Sequence, residues 1–522
     1  MADERTPQAD NSDAPNRGAD PAQNLVRVCA IGASAGGIKA LSAWFASVPP
    51  DLGVAYVVIV HLAPDYPSEL AATLQPRTKM PITQVQGKMR LEPDHVYIIP
   101  PDRRLVLSDS SIEALTFAEP HGRRAPIDHF FRSLASARHD GIGVILSGAG
   151  TDGAVGIRTI KEAGGLILVQ DPEDAEFALM PRSAIATGIA DVVLPLPLLA
   201  ERFAEIMRSP IPLAEPLPEK SKNTEEVLNS ILALMRTRTA HDFSQYKRST
   251  LLRRIARRMQ VIHSESIQDY YKYLQANASE TPRLLADILI SVTSFFRDLT
   301  AFEALAQQVM PTLFDDGDAS IGIRVWVPAC ATGEEAYSIA MLLLEEAARR
   351  EIRPQIQIFA TDIDDGALAT ARDGRFPTSI EADVSEERLR RFFNREGTFY
   401  AVRKELRDLI VFASHNVLRD PPFMRLDLVS CRNLLIYLER NLQGQVCETF
   451  HYALKPGRYL FLGTSESADS ELGLFKPVDK EKHIFQSVLR IGTRAPVGPH
   501  MRVEPQLGGL PSRRSRAHIP HS

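Results

Sequence analysis

The 522-residue sequence predicts an α/β protein in which two sheet-containing domains are separated by a linker and a helical segment. Three observations predict this class. Apolar strands alternate with helical patterns in both halves of the chain, a proline-rich run interrupts the alternation, and a mostly helical pattern follows that run. A chain of this length also exceeds one ordinary hydrophobic core, which favours several domains.

The first domain is expected over residues 25–209, after a polar tail at residues 1–24 that lacks apolar periodicity and is predicted to be disordered. Its predicted strands are VRVCAIG, VAYVVIVHL, HVYIIP, GIGVILSG and GLILVQD. Helical patterns alternate with most of them, for example from Ile38 to Ala46. Because continuous apolar runs are typical of strands buried on both faces, the predicted fold class is a doubly wound parallel sheet.

Residues 210–224 are predicted to form a semi-rigid linker, because they contain four prolines followed by a polar patch. Asn223 and Glu226 have the spacing of a capping box, which predicts that the next helix opens there. A helical subdomain is expected over residues 225–300. A second α/β domain is expected over residues 301–491, with strands IRVWVPA, IQIFATD, LIVFASHN, LDLVSC and GRYLFLG.

The composition is that of a soluble globular protein, with 44% hydrophobic and 24% charged residues. Membrane helices need ~18 consecutive apolar residues, and signal peptides need a basic and then an apolar region; the sequence shows neither. We therefore expect a cytoplasmic protein without direct membrane insertion. Four scattered cysteines predict free thiols and no metal site, and a net charge of −5 disfavours nucleic-acid binding. Residues 492–522 are predicted to be a second disordered tail.

A candidate nucleophile is Ser34, in the sequence Gly-Ala-Ser-Ala-Gly-Gly between a predicted strand and a predicted helix. This matches G-x-S-x-G, a sharp turn that presents a serine hydroxyl above a sheet. His61 and Asp152 also follow predicted strands, at the carboxyl ends where α/β active sites form. A serine needs a base, and the base needs an orienting acid. Three plainer interpretations remain open: a glycine-rich turn, a strand-end histidine and a helix-capping aspartate.

Residues 26–208 resemble the catalytic domain of the chemotaxis receptor methylesterase, CheB. The matching segments are GASAGG, HLAPDYPSEL, LEPDHVYIIPP, APIDHFFRSLA, LSGAGTDGAVG and QDPEDAEFALMPRSAI. The resemblance implies that Ser34 is the nucleophile, His61 the general base and Asp152 its orienting acid. It also implies hydrolysis of glutamate methyl esters through an acyl-enzyme, with glutamine deamidation as a further activity. Ala35 and Ala149 stand where the family often has Thr and Met. Only a short tail precedes this domain, so we expect no phosphoreceiver domain in cis.

A second candidate site lies in the second α/β domain, where RVWVPACATGEEAYSIAM runs from a strand through a loop into a helix. The small residues Ala329, Ala331 and Gly333 allow close approach of a nucleotide, and Asp362 ends the next predicted strand, where an acid commonly binds ribose hydroxyls. No G-x-G-x-x-G occurs, which disfavours a dinucleotide. An ordinary strand-to-helix turn with a capping acid is the alternative.

Residues 225–490 resemble the chemotaxis receptor methyltransferase, CheR, through SVTSFFRD, ATGEEAYSIAM, FATDID, ASHNVL, LVSCRNLLIYL and LGTSES. The resemblance implies a Rossmann-like domain that binds S-adenosylmethionine. The cofactor contacts that it implies are Thr293, Arg297, Glu335, Asp362, Asn416, Val417, Cys431 and Arg432. Arg297 and Tyr437 are expected to position the acceptor carboxylate, and Ser291 stands where some members have Asn. A glutamate, with an ordinary pKa of about 4.3, is already ionised at neutral pH and needs no base.

The segment YKRSTLLRRIARRM concentrates basic residues on a predicted helix; they are Lys247, Arg248, Arg253, Arg254, Arg257 and Arg258. A solvated charged face is one interpretation, and binding of an acidic partner or nucleic acid is the other. In the resembling family, the corresponding helix faces the acidic methylation region of the receptor.

Together these features predict a bifunctional enzyme that methylates and demethylates glutamates of methyl-accepting chemoreceptor cytoplasmic domains. Other chemosensory signalling proteins are further expected partners. Two alternatives remain: a signalling scaffold in which one or both sites are inactive, and a methyltransferase for RNA, which only the basic helix favours.

Overall fold

The structure is a computed structural model that describes residues 26–61, 69–117, 124–209, 222–289, 291–315, 322–468 and 473–489. The two predicted tails and most of the predicted linker lie outside the described residues. Part of the HLAPDYPSEL segment, residues 62–68, lies outside them as well.

The first domain is a doubly wound α/β unit, as predicted. Its strands are β1 (Arg27–Ala33), β2 (Val54–Val60), β3 (Ile82–Gln84), β4 (Lys88–Arg90), β5 (His95–Ile98), β6 (Arg103–Ser108), β7 (Ser111–Thr116), β8 (Ile142–Ile145), β9 (Leu166–Gln170) and β10 (Val192–Leu194). Its helices are α1 (Gly37–Ser47), α2 (Leu70–Leu74), α3 (Pro126–Ala137), α4 (Gly156–Ala163), α5 (Leu179–Ala186) and α6 (Leu196–Arg208).

The main sheet of this domain has the strand order β10-β9-β8-β1-β2-β5-β3, and all its pairs are parallel. β1 and β2 are buried over nearly their whole length, which explains their continuous apolar sequences. Helix α1 packs against α6 through Trp44 and Phe203, whose ring centroids are 5.4 Å apart. A small antiparallel sheet, β4-β7-β6, was not predicted from the sequence.

Four helices follow the linker: α7 (Lys222–Thr239), α8 (Arg248–Ile262), α9 (Ile267–Ala276) and α10 (Glu280–Leu289). Because α7 begins at Lys222, Asn223 lies inside the helix and is not its N-cap, so the predicted capping box is wrong. Lysine has a high helix propensity, so a helix can begin before Asn223. These helices share a core with the second α/β domain, in which Leu228, Ile255 and Trp326 are buried together.

The second α/β domain has its own parallel sheet. Its strands are β11 (Ile323–Pro328), β12 (Ile356–Asp362), β13 (Arg375–Pro377), β14 (Phe393–Glu396), β15 (Phe399–Val402), β16 (Ile410–Ser414), β17 (Leu426–Cys431), β18 (Leu454–Leu462), β19 (Phe475–Asp479) and β20 (Ile484–Ser487). Its helices are α11 (Leu299–Gln308), α12 (Met310–Leu313), α13 (Glu334–Arg349), α14 (Asp365–Asp373), α15 (Glu386–Phe392), α16 (Lys404–Arg407) and α17 (Arg440–Ala453).

The strand order of this second sheet is β16-β12-β11-β17-β18-β20-β19. The first five strands are parallel, whereas β20 and β19 pair antiparallel at one edge. The hairpin β14–β15 and strand β13 form a separate three-stranded antiparallel sheet. The carboxyl ends of β11 and β12 lie side by side at the centre of the main sheet, where a nucleotide is expected in this architecture.

The basic helix α8 is only partly a solvated face. Arg254, Arg257 and Arg258 are buried, and the solvated interpretation is wrong for these three. Arg257 pairs with Asp191 of the first domain, and Arg258 Nε lies 2.8 Å from Glu280 Oε1 of helix α10. A buried charge is tolerated where an opposite charge compensates it. The acids that compensate Arg257 and Arg258 belong to other elements of the fold, the first domain and helix α10.

Within the described residues, no helix has both the length and the apolar character that a bilayer span requires.

Candidate active sites

The first site forms where three neighbouring strands of the first sheet end. β1 lies between β8 and β2, and all three run in the same direction. Ser34 follows β1, His61 follows β2, and Asp152 lies between β8 and α4. Ser34 Oγ is 3.3 Å from His61 Nδ1, and His61 Nε2 is 2.9 Å from Asp152 Oδ2. The topology therefore brings together the three residues that the sequence analysis selected.

Asp152 is buried and held by backbone donors at the start of helix α3. Its Oδ1 accepts a hydrogen bond from the Asp128 N–H at 2.9 Å, and its Oδ2 accepts one from the Ile127 N–H at 3.0 Å. The helix N-terminus stabilises a negative charge at this position. Burial lowers the pKa of His61, but the hydrogen bond and charge of Asp152 outweigh burial and raise that pKa above its ordinary value.

The turn around the nucleophile requires a glycine and is braced by Ser147. Gly36 has φ 71°, and a Cβ atom there would lie 2.7 Å from Ser147 Oγ. The Ser34 N–H donates to the Ser147 carbonyl at 3.0 Å, and Ser147 Oγ donates to the Ala35 carbonyl at 2.9 Å. Ser147 had not been selected from the sequence, because a serine after a buried strand has no distinctive pattern.

Asp128 is a second buried carboxyl group that the sequence analysis missed. It accepts a hydrogen bond from the Gly156 N–H, and its Oδ2 atom has no hydrogen-bond partner among the described residues. Burial, and then the charge of Asp152, raise the pKa of Asp128 well above its ordinary range. Asp128 is therefore a second buried acid beside Asp152, and its protonated form is favoured. The only sequence signal was an acid in the first turn of a helix that begins with proline.

The second site is a cavity of about 950 Å³ at the carboxyl ends of β11 and β12. This space includes open solvent at the cavity mouth. Eight of the residues that the sequence analysis selected line it: Thr293, Arg297, Glu335, Asp362, Asn416, Val417, Arg432 and Tyr437. Cys431 does not line it; its side chain is fully buried at the end of β17 in the core shared with the helices.

The loop after β11 has the close-approach geometry expected from its small residues. Ala329 and Ala331 have φ values of 54° and 47°, which non-glycine residues rarely adopt and which tend to occur at functional sites. The Ala331 N–H donates to Asp362 Oδ2 at 2.8 Å, while Asp362 Oδ1 accepts from the N–H groups of Ile363 and Asp364. A carboxylate has about four acceptor positions, so one remains for a ligand hydroxyl.

Other polar side chains of the cavity wall differ in how many of their possible hydrogen bonds are made within the protein. The Ser430 hydroxyl donates to Glu335 at 2.6 Å, and burial raises the pKa of Glu335 to about 7. Three of the five N–H groups of Arg432 donate within the protein, to Leu462, Arg297 and Asp298. Arg432 is therefore chiefly engaged in holding the wall itself.

His415 and Ser291 complete this wall. His415 Nδ1 is buried and has no hydrogen-bond partner among the described residues. Because His415 lines the cavity that is predicted to bind a nucleotide, this atom can form a hydrogen bond to a ligand. The Ser291 hydroxyl donates to Asp364, and this uses it within the protein. The polar lining of the cavity includes the acids Glu335 and Asp362 and the amide of Asn416, and these groups fit the hydroxyl and cationic groups of S-adenosylmethionine.

At one end of the cavity, Arg297 forms an ion pair with Glu162 of the first domain. Burial lowers the pKa of Arg297, but the charge of Glu162 outweighs it and raises that pKa. Tyr437 lies close to the same carboxylate; burial, and then the charge of Glu162, raise the pKa of Tyr437 to about 12. Glu162 was missed in the sequence, because an exposed-looking acid on a helix gives no sign of a partner in another domain.

Comparisons with known proteins agree with both sites. A family model of CheB methylesterase matches residues 29–203, a model of the CheR all-alpha domain matches residues 226–289, and a model of the CheR methyltransferase SAM binding domain matches residues 291–484. The cofactor of the second site is therefore S-adenosylmethionine.

Individual relatives match most of the chain or part of one half of it. An uncharacterised 104.1 kDa protein of Rhodobacter capsulatus is 37% identical over 80% of this chain, and this chain spans 46% of that protein. A protein of Leptospira interrogans named as a protein-glutamate methylesterase/protein-glutamine glutaminase is 36% identical over 34% of this chain and 92% of its own length. A chemotaxis protein methyltransferase of Listeria monocytogenes is 32% identical over 43% of this chain and 84% of its own length. The chain thus belongs to both the CheB methylesterase family and the CheR methyltransferase family, one in each half.

Proposed function

We propose that this chain both hydrolyses glutamate methyl esters and forms them, on the cytoplasmic domains of methyl-accepting chemoreceptors. The observation that carries the proposal is that one chain holds a hydrogen-bonded Ser34–His61–Asp152 relay and a cofactor cavity lined by acceptor-positioning residues. Because the substrate is a cytoplasmic receptor domain, the proposed location is the cytoplasm.

In the esterase half, His61 Nδ1 accepts the Ser34 proton as Oγ attacks the ester carbonyl. Asp152 holds the proton on Nε2 and stabilises the imidazolium. The N–H groups of Ala35 and Gly36 make no hydrogen bond to any described residue and are free to bind the oxyanion. His61 then protonates the departing methanol, and a water molecule activated by His61 hydrolyses the acyl-enzyme. The same relay acts on a glutamine side chain with ammonia as the leaving group.

In the methyltransferase half, S-adenosylmethionine supplies an electrophilic methyl group when it is bound. Asp362 would accept a hydrogen bond from a ribose hydroxyl, and Glu335 would offer a carboxylate to the cationic part of the ligand. Arg297 and Tyr437 hold the acceptor carboxylate in line with the methyl group. Orientation is the main requirement, because the acceptor is already ionised at neutral pH.

The test uses a receptor cytoplasmic fragment, labelled S-adenosylmethionine and two proteins, the wild type and Ser34→Ala. We expect the variant to accumulate more glutamyl methyl ester and to release less methanol. If neither protein labels the fragment, and neither releases methanol from a pre-methylated one, the scaffold alternative replaces this proposal. Label found on added RNA and not on the fragment would favour the RNA methyltransferase.

A further inference from the structure

Glu162 extends from the esterase domain into the methyltransferase cavity. It lies in the last turn of α4, its side chain is 17% exposed, and it lines the same cavity as the cofactor residues Glu335 and Asp362. The Glu162 carboxylate pairs with Arg297, and its charge helps to raise the pKa of the nearby Tyr437. A glutamate carboxylate is therefore paired with one, and near the other, of the two residues to which the proposed function assigns the acceptor carboxylate.

Other ion pairs between the same domains differ from this one. Arg158 Nη1 lies 3.0 Å from Glu334 Oε1, and Arg132 Nη1 lies 2.8 Å from Asp383 Oδ1. Neither acid lines the cofactor cavity. A structural ion pair explains these two contacts fully. It does not explain why the third acid, Glu162, faces the cofactor site.

The backbone around Glu162 is anchored, so its position is not that of a loose surface side chain. Arg254 of helix α8 donates to the carbonyls of Lys161 and Glu162 at 3.1 and 3.0 Å, which satisfies carbonyls at the C-terminus of α4. Lys161 in turn pairs with the buried acids Asp191, at 2.8 Å, and Asp287. The basic helix α8 thus fixes the C-terminal end of α4, which carries Glu162, beside the methyltransferase site. The acidic group that α8 supports belongs to the same chain.

We propose that Glu162 is a methylation site, at which the methyltransferase half modifies the esterase half of its own chain. The inference rests on the proposed methyltransferase function. A Glu162 carboxylate oxygen bonds to the methyl carbon, the carbon–sulfur bond breaks, and its electron pair stays on the sulfur of S-adenosylhomocysteine. No proton is transferred. The product is a neutral ester, which ends the ion pair with Arg297 and opens the acceptor position to other carboxylates.

The experiment incubates the full-length Ser34→Ala chain with S-adenosylmethionine, without receptor, and maps methyl esters on its peptides by mass spectrometry. The serine variant prevents hydrolysis of the ester by a second copy. We expect one added methyl group on Glu162, in a fraction that does not fall on dilution. A double variant that also carries Glu162→Ala is expected to lose the methyl label. The control, which carries Glu173→Ala instead, at an exposed acid of the same domain, is expected to keep the label.

A parallel sample contains the receptor fragment. Label on the fragment with none on Glu162 overturns the inference and leaves the proposed function standing, whereas label on neither overturns both. A second measurement needs no cofactor: Glu162→Ala frees Arg297 and is expected to bind the receptor fragment more tightly than the wild type in calorimetry. Unchanged affinity would show that Glu162 does not occupy the acceptor position.

Discussion

In the proposed function the two sites act on the same carboxyl group in opposite directions, and they are built differently. The esterase half must create its nucleophile from a neutral hydroxyl, and it contains a relay in which Ser34, His61 and Asp152 are joined by two hydrogen bonds. The methyltransferase half would receive a nucleophile that is already ionised, and the described residues of its cavity are polar and apolar binding groups. The comparison teaches that the ionisation state of the nucleophile decides whether a site needs a base.

The two sites also hold their acids in different ways. Asp152 receives hydrogen bonds from two backbone N–H groups at the start of helix α3. Glu335 is buried beside Ser430 with fewer donors, and its pKa rises to about 7. The acid proposed to orient the histidine is thus fixed by backbone donors, whereas the acid proposed to meet a cationic ligand has a raised pKa and would become charged when that ligand binds.

The largest expected effect comes from removing the nucleophile. Ser34→Ala is expected to lower methanol release from a methylated receptor fragment by roughly 10⁴- to 10⁶-fold, because no other group of the relay can form the acyl-enzyme. Methyl transfer to an unmethylated fragment should not change. Methanol release and methyl incorporation are measured on the same preparation. Loss of both activities together would show that the halves are not chemically independent.

Sequence reasoning could select the three residues of the proposed esterase relay because they follow neighbouring parallel strands and lie in segments that resemble CheB. Once β1, β2 and β8 are recognised as neighbours, residues after their carboxyl ends must meet, and Ser34, His61 and Asp152 follow those ends. Asp362 was found by the same rule in the second sheet. These positions depend on local patterns and on a small set of sheet topologies.

The domain interface could not be predicted in this way. Arg257 and Asp191 are 66 positions apart, and Arg254 and the Lys161 carbonyl are 93 positions apart. An arginine on a helix has the same local pattern whether water or a buried acid faces it. The burial of α8 and the entry of Glu162 into the cavity therefore depend on tertiary packing that no local pattern reports.

A smaller effect is expected at the cofactor ribose. Asp362→Ala removes a charged acceptor and is expected to weaken S-adenosylmethionine binding about 10- to 100-fold, the usual range for a hydrogen bond to a charged group. Calorimetric titration of the full-length chain gives the dissociation constant. The matched control is Asp365→Ala, on the neighbouring helix α14, which should bind as the wild type does. Equal losses in both variants would assign the effect to the loop fold instead of to the ribose contact.

The pH dependence of the two reactions should separate them further. His61 acts as a base only when neutral, and its pKa is raised above the ordinary value by Asp152. Esterase turnover should therefore fall about tenfold per pH unit below that raised pKa. Methyl transfer at saturating cofactor should persist to lower pH, because the acceptor glutamate ionises near pH 4.3. If both rates fell over the same acidic pH range, methyl transfer would also need a base, and the proposed mechanism of the second site would be wrong.

The smallest effect concerns Glu335. Its carboxyl group is neutral below its pKa of about 7, so affinity for the cationic cofactor should decline as pH falls through that value. Binding favours the carboxylate, and protons should therefore be released when the complex forms near neutral pH. Calorimetry in buffers of different ionisation enthalpy counts these protons. Glu335→Gln should abolish both the release and the pH dependence. If the glutamine variant releases as many protons as the wild type, the titrating group lies elsewhere, and the poised acid that distinguishes this site from the esterase site is not Glu335.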